Sequence, residues 1–283
     1  MRRFDVATAA ELLPCLMSLP VGLSRKRAKN LIRSGAISVE GKTHLRHDSR
    51  LRAGDVVTIN EAPRPSGAPS PTLKIVYLDP AIAIIDKPAG LLAMGSAREK
   101  ERTAHRLLNE FLKASTKSHH QQAFIVHRLD RETSGLMIFA RSTPIQSALQ
   151  RDWKNVTKRY LAVVEGAPPQ ALGTLEDRLV ENAALKVRRV KSGGELAITH
   201  YRQIRRGGTR SILELTLATG RKHQIRVQLA GAGCPVVGDR KYGSGPQSRL
   251  ALHACELQFR HPVSHAPMIF RSDPPAALAK LIE

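Results

Sequence analysis

Residues 126–136 read Val-His-Arg-Leu-Asp-Arg-Glu-Thr-Ser-Gly-Leu, and the run 136–140 that continues from them is entirely apolar. An apolar run bounded by a glycine turn predicts a buried strand. Asp130 stands just ahead of this strand, between Arg128 and Arg131. Nearby positive charge favours the ionised, nucleophilic form of a carboxylate. Asp130 is therefore a candidate nucleophile, and the alternative is a structural ion-pair partner in a solvated turn.

The chain as a whole is strongly basic. Its 283 residues include 45 Lys or Arg against 24 Asp or Glu, a formal net charge of +21. Such an excess predicts a polyanionic partner, and nucleic acid is the first candidate because each neutralised phosphate releases counterions. A membrane surface is the second candidate. The sequence has no apolar stretch of about 18 residues and no secretory leader pattern, so no membrane association is expected.

The three cysteines are Cys15, Cys234 and Cys255. They are too few and too scattered for a disulfide framework, which predicts a reducing compartment, the cytoplasm. Cys234, Cys255 and His253 lack the short spacing of zinc ligands, so we expect small buried thiols and no zinc site.

Residues 61–72 are rich in proline, glycine and serine, which predicts an extended linker. The linker separates a small module, residues 1–60, from a large domain, residues 73–283.

The small module reads as a basic helix beside a small sheet. Ser24 can cap a helix from Arg25 to about Ser34, and strands are expected at residues 37–39 and 56–59. Residues 21–52 hold nine Lys or Arg against two acids, whereas a solvated helix face usually mixes signs. The candidate RNA-binding residues are Arg25, Lys26, Lys29, Arg33, Lys42 and Arg46.

The module carries the pattern Ser-Arg-x-x-Ala-x-x-Leu-Ile-x-x-Gly-x-Ile-x-Val-x-Gly, followed by Gly-Asp-x-Val. It resembles the S-four domain, a small RNA-binding module named after a ribosomal protein. That resemblance implies structured RNA recognised through its shape and phosphates. A generic basic helix-and-strand module is the alternative.

The large domain alternates β-rich stretches with few helices. Strands are expected near residues 75–79, 82–87, 160–164, 196–201, 212–217 and 257–259. This pattern predicts an α+β domain with a mixed, mostly antiparallel sheet flanked by helices.

Two further segments hold polar side chains suited to chemistry. Tyr160 begins an apolar strand. It is either a half-buried strand aromatic or an aromatic surface on which a base stacks, with a hydroxyl that can transfer a proton. Residues 219–230 form a glycine turn and a helix with cations near its start, where a plain anion-binding helix terminus is the alternative.

Five motifs occur together, in order, between residues 75 and 270: Lys-Pro-x-Gly, His-Arg-Leu-Asp-x-x-Thr-Ser-Gly, Lys-x-Tyr-x-Ala-x-Val-x-Gly, Gly-Arg-x-His-Gln-Ile-Arg and Gly-Asp-x-x-Tyr-Gly. In these motifs and in their order, the chain resembles the RluA-type family of RNA pseudouridine synthases. The resemblance implies the pseudouridine synthase fold and the isomerisation of uridine to pseudouridine. In that reaction the N1 glycosidic bond breaks, the uracil turns while bound, and C5 is joined to C1′, without a metal or cofactor.

The resemblance also implies roles for particular residues. Asp130 would attack or stabilise the ribose and uracil, Tyr160 would stack on the uracil and assist proton movement, and Arg226 would pair with Asp130. Arg128 would fill the gap left by the flipped nucleotide, which offsets part of the cost of flipping. The candidate substrate-binding residues are Arg128, Arg221, His223 and Lys87, of which Lys87 is expected to shape its loop and His223 to orient the helix start.

The expected partner is RNA, with ribosomal RNA of the large subunit favoured over transfer RNA, and the chain is expected to act as a monomer. One alternative is a non-catalytic RNA-binding or ribosome-assembly factor. Another is a glycosidase-like hydrolase that pairs Asp130 with Glu132, which would release a free base.

Overall fold

A computed structural model describes residues 2–33, 35–43, 46–60, 73–95, 102–115, 122–183, 185–243 and 249–281. The chain divides into two compact units, Met1–Thr72 and Leu73–Glu283. The predicted linker, residues 61–72, lies outside the described residues.

The first unit packs two helices on small sheets. Its elements are β1 (Arg2–Asp5), β2 (Ala10–Glu11), α1 (Leu12–Ser18), α2 (Arg25–Arg33), β3 (Ile37–Val39), β4 (Lys42–Thr43), β5 (Arg50–Leu51) and β6 (Val56–Ile59). One sheet has the order β1-β6-β3-β4, and β2 pairs with β5.

Helix α2 forms as its sequence predicts. The Ser24 hydroxyl accepts a hydrogen bond from the Arg27 backbone N–H at 3.3 Å, which caps the first turn. Ala28 and Ile32, four residues apart, are fully buried against the core of this unit. Gly35, at φ +68°, takes the left-handed conformation that ends helices.

The second unit contains the remaining elements. These are β7 (Lys74–Leu78), β8 (Ile82–Lys87), α3 (Ala104–Ser115), β9 (Phe124–Ile125), β10 (Ser134–Ala140), α4 (Thr143–Arg151), a 3-10 turn (Trp153–Asn155), β11 (Thr157–Glu165), β12 (Leu172–Glu181), β13 (Val187–Val190), β14 (Glu195–Gly207), β15 (Arg210–Leu217), α5 (Gln224–Gly231), β16 (Leu252–Arg260), β17 (Pro267–Arg271) and α6 (Ala276–Ala279).

One sheet of 11 strands organises this unit, in the order β13-β12-β14-β15-β11-β16-β10-β8-β7, with β17 on β16 and β9 on β10. Its strand pairs are antiparallel, except that β10 runs parallel to β16. The mixed, mostly antiparallel α+β fold expected from the sequence is confirmed. Helices α3 and α4 and the hairpin of β12 and β13 were not assigned from the sequence.

Strand β10 lies between β16 and β8 in the sheet, and all seven of its residues are buried. Gly135 pairs with Ala254 of β16 at φ +115°. A Cβ at this position would lie 2.2 Å from the Ala254 carbonyl oxygen. Glycine is therefore required where these two strands meet, directly beyond the loop that carries Asp130.

Candidate active site

A cavity of about 730 Å³ opens in the second unit, a size usual for a ligand site. Six of the predicted site residues line it: Arg128, Asp130, Tyr160, Arg221, His223 and Arg226. They come from the loop before β10, from β11 and from the start of α5. The topology thus brings together residues that are up to 98 positions apart in the sequence.

The Asp130 loop is fastened to the loop of Lys87–Gly90 rather than left free. The Gly90 N–H donates to the Arg131 carbonyl at 2.8 Å, and the Arg131 side chain donates back to the Gly90 carbonyl at 3.0 Å. The Thr133 N–H closes a turn on the Asp130 carbonyl at 3.2 Å. These bonds fix the backbone from which the Asp130 carboxylate projects.

Lys87 lies beneath this junction with its side chain fully buried. Its ammonium donates to the carbonyls of Pro88 (3.0 Å), Leu91 (2.8 Å) and Arg131 (3.2 Å). Burial lowers the pKa of Lys87 to about 7. Its contacts therefore join two loops, and Lys87 is not among the residues that line the cavity.

Arg226 presents a fixed charge to Asp130. Its Nη1 lies 2.9 Å from Asp130 Oδ2, while Nε and Nη2 bind the two oxygens of Asp239 at 2.8 Å each. Burial opposes the charge on Arg226, but the two carboxylates outweigh burial and hold its pKa above the ordinary value. The bidentate bond to Asp239 fixes the guanidinium plane and leaves one edge for Asp130.

Asp239 is the buried anchor of this arrangement, with a side chain that is 0% exposed. Its Oδ1 also accepts the backbone N–H groups of Lys241 (2.9 Å) and Tyr242 (3.1 Å). Asp239 was not among the predicted site residues, although Asp239 stands in the Gly-Asp-x-x-Tyr-Gly motif. An aspartate directly after a glycine turn and ahead of a tyrosine was the available signal.

The two arginines that flank Asp130 in the sequence have other partners. Arg128 Nη1 lies 3.7 Å from the Met94 sulfur, and Arg131 contacts Gly90 and Glu132. Among the described contacts, the cation bonded to Asp130 is Arg226 rather than either flanking arginine. Adjacent side chains in an extended segment point to opposite faces, which accounts for the divergence of Arg131 from Asp130.

Tyr160 lies on β11 and lines the cavity, although only 8% of the residue is exposed. Burial, followed by the charge of Asp130, raises its pKa well above the ordinary value. The hydroxyl therefore keeps its proton, and the ring supplies a flat apolar surface beside Asp130.

His223 and Arg221 lie at the start of α5. His223 Nε2 is 3.9 Å from Asp130 Oδ1, and its Nδ1 is 2.7 Å from the Tyr242 hydroxyl. Arg221 lines the cavity, but its guanidinium is bound to Glu195 at 2.6 Å and to the Leu196 carbonyl at 3.1 Å. Of these two residues, His223 therefore has the side chain that faces Asp130.

The cavity is also lined by His127, Trp153 and Lys158. The rings of His127 and Trp153 stack with centroids 4.4 Å apart. His127 Nε2 accepts from the Ile138 N–H at 3.1 Å, and burial lowers the His127 pKa to about 3. His127 is therefore a neutral structural group at physiological pH.

The candidate RNA-binding residues of the first unit are spread over α2, β4 and the following turn. Arg25, Lys26 and Lys42 are exposed, and Lys29 is half-buried. Arg46 pairs with Asp48 at 2.8 Å. Arg33 ends α2, and its side chain lies outside the described residues.

The described part of the chain contains no group of three or more His, Cys, Asp or Glu residues that could hold a metal ion. Among the described helices, none is long and apolar enough to span a membrane. The three cysteines, all within the described ranges, are unpaired.

Comparison with known proteins gives consistent matches. Residues 81–231 match the family model of RNA pseudouridylate synthase. The chain is 34% identical to ribosomal large subunit pseudouridine synthase D of Xanthomonas campestris, over 99% of this chain and 88% of that protein. It is 32% identical to the protein of the same name from Escherichia coli, over 92% and 86%.

Solved structures with a similar fold include human RNA pseudouridylate synthase domain containing 4. That match has a TM-score of 0.63 at 24% identity and covers 73% of this chain and 90% of the human one. Human RNA pseudouridylate synthase domain containing 1 gives a TM-score of 0.59 at 23% identity, over 73% and 86%. These two likenesses concern the fold.

Proposed function

Since this chain belongs to the RNA pseudouridylate synthase family and is an RNA pseudouridine synthase, we propose that it modifies ribosomal RNA of the large subunit with Asp130 as the attacking carboxylate. The observation that carries the role of Asp130 is its bond to Arg226 at 2.9 Å, inside the cavity, with Arg226 anchored on buried Asp239. A nucleophile must be held in place beside the reacting atoms, and the bond to a fixed guanidinium holds the Asp130 carboxylate.

The isomerisation needs a group that takes over the bond to the departing base. Asp130 would attack C1′ of the bound nucleotide as the N1–C1′ bond breaks. When C5 is joined to C1′, the bond from C1′ to Asp130 would break, C5 would lose its hydrogen to water and N1 would take up a proton. The positive charge of Arg226 would stabilise the carboxylate before attack and after release. One oriented charge contact of this kind is worth about 3 kcal/mol once a bound substrate excludes water from it.

Tyr160 would stack on the uracil while the base turns. Its ring stands beside Asp130, and its protonated hydroxyl can donate or relay a proton. Arg128 would occupy the space that the flipped nucleotide leaves, since its side chain lines the cavity and bonds only weakly to the Met94 sulfur among the described contacts.

The proposed target, large-subunit ribosomal RNA, rests on the names of the relatives and on charge. Two relatives at 34% and 32% identity are named ribosomal large subunit pseudouridine synthase D. Residues 73–283 alone carry 33 Lys or Arg against 18 Asp or Glu. A surface of this kind suits a long polyanion such as ribosomal RNA.

We also propose that the first unit is an S-four-like RNA-binding module. Its helix α2 buries Ala28 and Ile32 and leaves Arg25 and Lys26 exposed. Exposed cations on a rigid helix can reach successive phosphates, which supports affinity without sequence readout.

The remaining expectations concern location and assembly. Three unpaired cysteines favour the cytoplasm, where ribosomal RNA is also found in bacteria. Asp130, Tyr160, Arg226 and Asp239 all come from one chain. Because one chain supplies these groups, we propose that the enzyme acts as a monomer.

The experiment is pseudouridine mapping by carbodiimide modification of total RNA. Cells lacking the protein would be complemented with wild type, Asp130→Asn or Glu132→Gln. Glu132 is a nearby carboxylate that is 52% exposed and contacts Arg131, so it serves as the matched control. We expect sites in large-subunit RNA with wild type and Glu132→Gln and none with Asp130→Asn; the same sites with Asp130→Asn would contradict the proposal.

A further inference from the structure

His223 has an unusual backbone for a residue that is not glycine. It lies at φ +53°, in the left-handed region, immediately before α5. Such a conformation costs on the order of 1 kcal/mol and persists only where the surroundings impose it. Here it directs the imidazole between Tyr242 and Asp130, two groups that belong to different motifs.

The hydrogen bonds around Tyr242 fix the direction of its contact with His223. The Tyr242 oxygen accepts from the Val187 N–H at 3.1 Å and lies 2.7 Å from His223 Nδ1. Burial raises the pKa of Tyr242, so its hydroxyl keeps its proton. Among the described contacts of Tyr242, His223 Nδ1 is the acceptor available to that proton. A neutral imidazole that accepts at Nδ1 carries its own proton at Nε2.

The Nε2–H group therefore faces Asp130. Nε2 lies 3.9 Å from Oδ1, whereas Oδ2 is bonded to Arg226 at 2.9 Å. The two oxygens of the carboxylate are thus not equivalent. A separation of 3.9 Å is too long for a direct hydrogen bond, so His223 faces Oδ1 without being hydrogen-bonded to it.

We propose that His223 is a positioning residue which, braced by Tyr242, orients Asp130 so that Oδ1 is the oxygen presented to the substrate. The proposal rests on the proposed role of Asp130. It assigns a joint task to the Gly-Arg-x-His-Gln-Ile-Arg and Gly-Asp-x-x-Tyr-Gly motifs: one supplies the imidazole, and the other supplies the hydroxyl that sets its tautomer.

A neutral His223 suits this task. Burial lowers its pKa; Asp130 acts in the opposite direction, and Arg226, Lys241 and Lys222 add to the lowering. A charged imidazolium would form a second ion pair with Asp130 and weaken it as a nucleophile. A neutral N–H donor orients the carboxylate and leaves its charge available.

The test compares His223→Gln with His223→Met. The two side chains are unbranched, have the same length and meet the same backbone strain, but only glutamine keeps an N–H donor. Single-turnover rates and RNA dissociation constants would be measured for each. We expect His223→Gln within about threefold of wild type, and His223→Met slower by about tenfold or more with unchanged RNA affinity, since about 1.4 kcal/mol of barrier is a factor of ten.

Tyr242→Phe tests the brace, because it removes the hydroxyl and keeps the ring that packs on Arg226. It should slow wild type but should not slow His223→Met further, since residues that act as one unit are not additive. Tyr77→Phe removes a hydroxyl bonded to Asp79 at 2.9 Å, elsewhere in the unit, and is the control with an unchanged rate.

Three results would overturn the positioning role: equal rates for His223→Met and His223→Gln, a change confined to RNA affinity, or an additive double variant. A wild-type enzyme that forms no pseudouridine would instead overturn the proposed function, and this role with it.

Discussion

The Arg226–Asp239 pair offers a quantitative test of how the site is built. In Asp239→Asn the amide oxygen can keep the bonds from the Lys241 and Tyr242 backbone and from Arg226 Nη2. The amide nitrogen then replaces Oδ2, and its N–H groups face the Arg226 Nε–H, donor against donor. The variant therefore keeps the shape of the site and removes one charge and one hydrogen bond.

The expected loss of stability follows from burial. The side chains are 9% and 0% exposed, and breaking a buried ion pair costs about 3–5 kcal/mol. Because Asp130 still faces Arg226, we expect the lower end, about 3 kcal/mol. For a unit of this size that corresponds to a fall of about 6–12 °C in Tm. The single-turnover rate should fall about 100-fold, since Arg226 is no longer fixed against Asp130.

The assay is thermal unfolding followed by circular dichroism, with single-turnover kinetics on the same preparations. Glu165→Gln is the matched control, since Glu165 pairs with Arg210 at 3.4 Å with side chains 38% and 29% exposed. Such a pair contributes less than about 1 kcal/mol. If Asp239→Asn melted like Glu165→Gln and kept the wild-type rate, the reasoning about the buried pair would be refuted.

Three further predictions follow from the same structure. Burial raises the pKa of Asp239, but the bonds from Arg226 outweigh burial and lower that pKa below its ordinary value of 3.8. Wild type should therefore lose stability as the pH falls below about 4, and Asp239→Asn should lose less. Tm measured from pH 6 to pH 3 checks this prediction. Gly135→Ala should prevent stable folding of the second unit, because its Cβ would lie 2.2 Å from the Ala254 carbonyl oxygen. Gly166→Ala is the control: its Cβ would have no atom within 4 Å, so it should cost only backbone strain of about 1 kcal/mol. Soluble yield and Tm of the two variants would be compared. Replacing Arg25, Lys26 and Lys42, three exposed cations of the first unit, by glutamine should lower the slope of log affinity against log salt by about 2–3, because each lost phosphate contact contributes about 0.7–0.9. Arg46→Gln should change that slope little, since Arg46 is already paired with Asp48.

The outcome that would contradict each is equally specific. Parallel pH curves for wild type and Asp239→Asn would remove Asp239 as the titrating group. Equal stability of the two glycine variants would mean that β10 and β16 do not meet as closely as described. An unchanged salt slope in the triple variant would argue against an RNA-binding role for the first unit.

Local patterns predicted the elements whose stability is local. The Ser24 cap, the buried Ala28 and Ile32 and the Gly35 terminus were all legible in α2. The apolar run after Gly135 predicted a buried strand, and β10 is buried throughout. In these segments propensity, pattern and turn chemistry agree, so the sequence contains enough information.

Helix α3 was missed although its signal is present. Ala104, Leu108 and Leu112 are buried at a spacing of four, and the Thr103 hydroxyl accepts from the Arg106 N–H at 3.2 Å. The helix follows a charged stretch, which obscures its period. The hairpin of β12 and β13 is harder to read, because β12 buries one of its ten residues and gives little hydrophobic contrast.

The site required information from distant parts of the chain. Asp130 and Arg226 are 96 positions apart, and no spacing rule connects them. Their pairing was expected only from the family resemblance. Reasoning from neighbours alone selected Arg128 and Arg131, whose contacts lie elsewhere. The electrostatic partner of a catalytic group is set by sheet topology, which brings α5 to the end of β10.

The most direct test of the account follows the hydrogen at C5 of the target base. Purified enzyme would be given large-subunit RNA labelled with tritium at C5 of uridine, because forming the C5–C1′ bond must release that hydrogen to water. We predict stoichiometric tritium release with wild type and Glu132→Gln, none with Asp130→Asn, and no free uracil. Labelled free uracil, or tritium release by Asp130→Asn at the wild-type rate, would contradict isomerisation through Asp130.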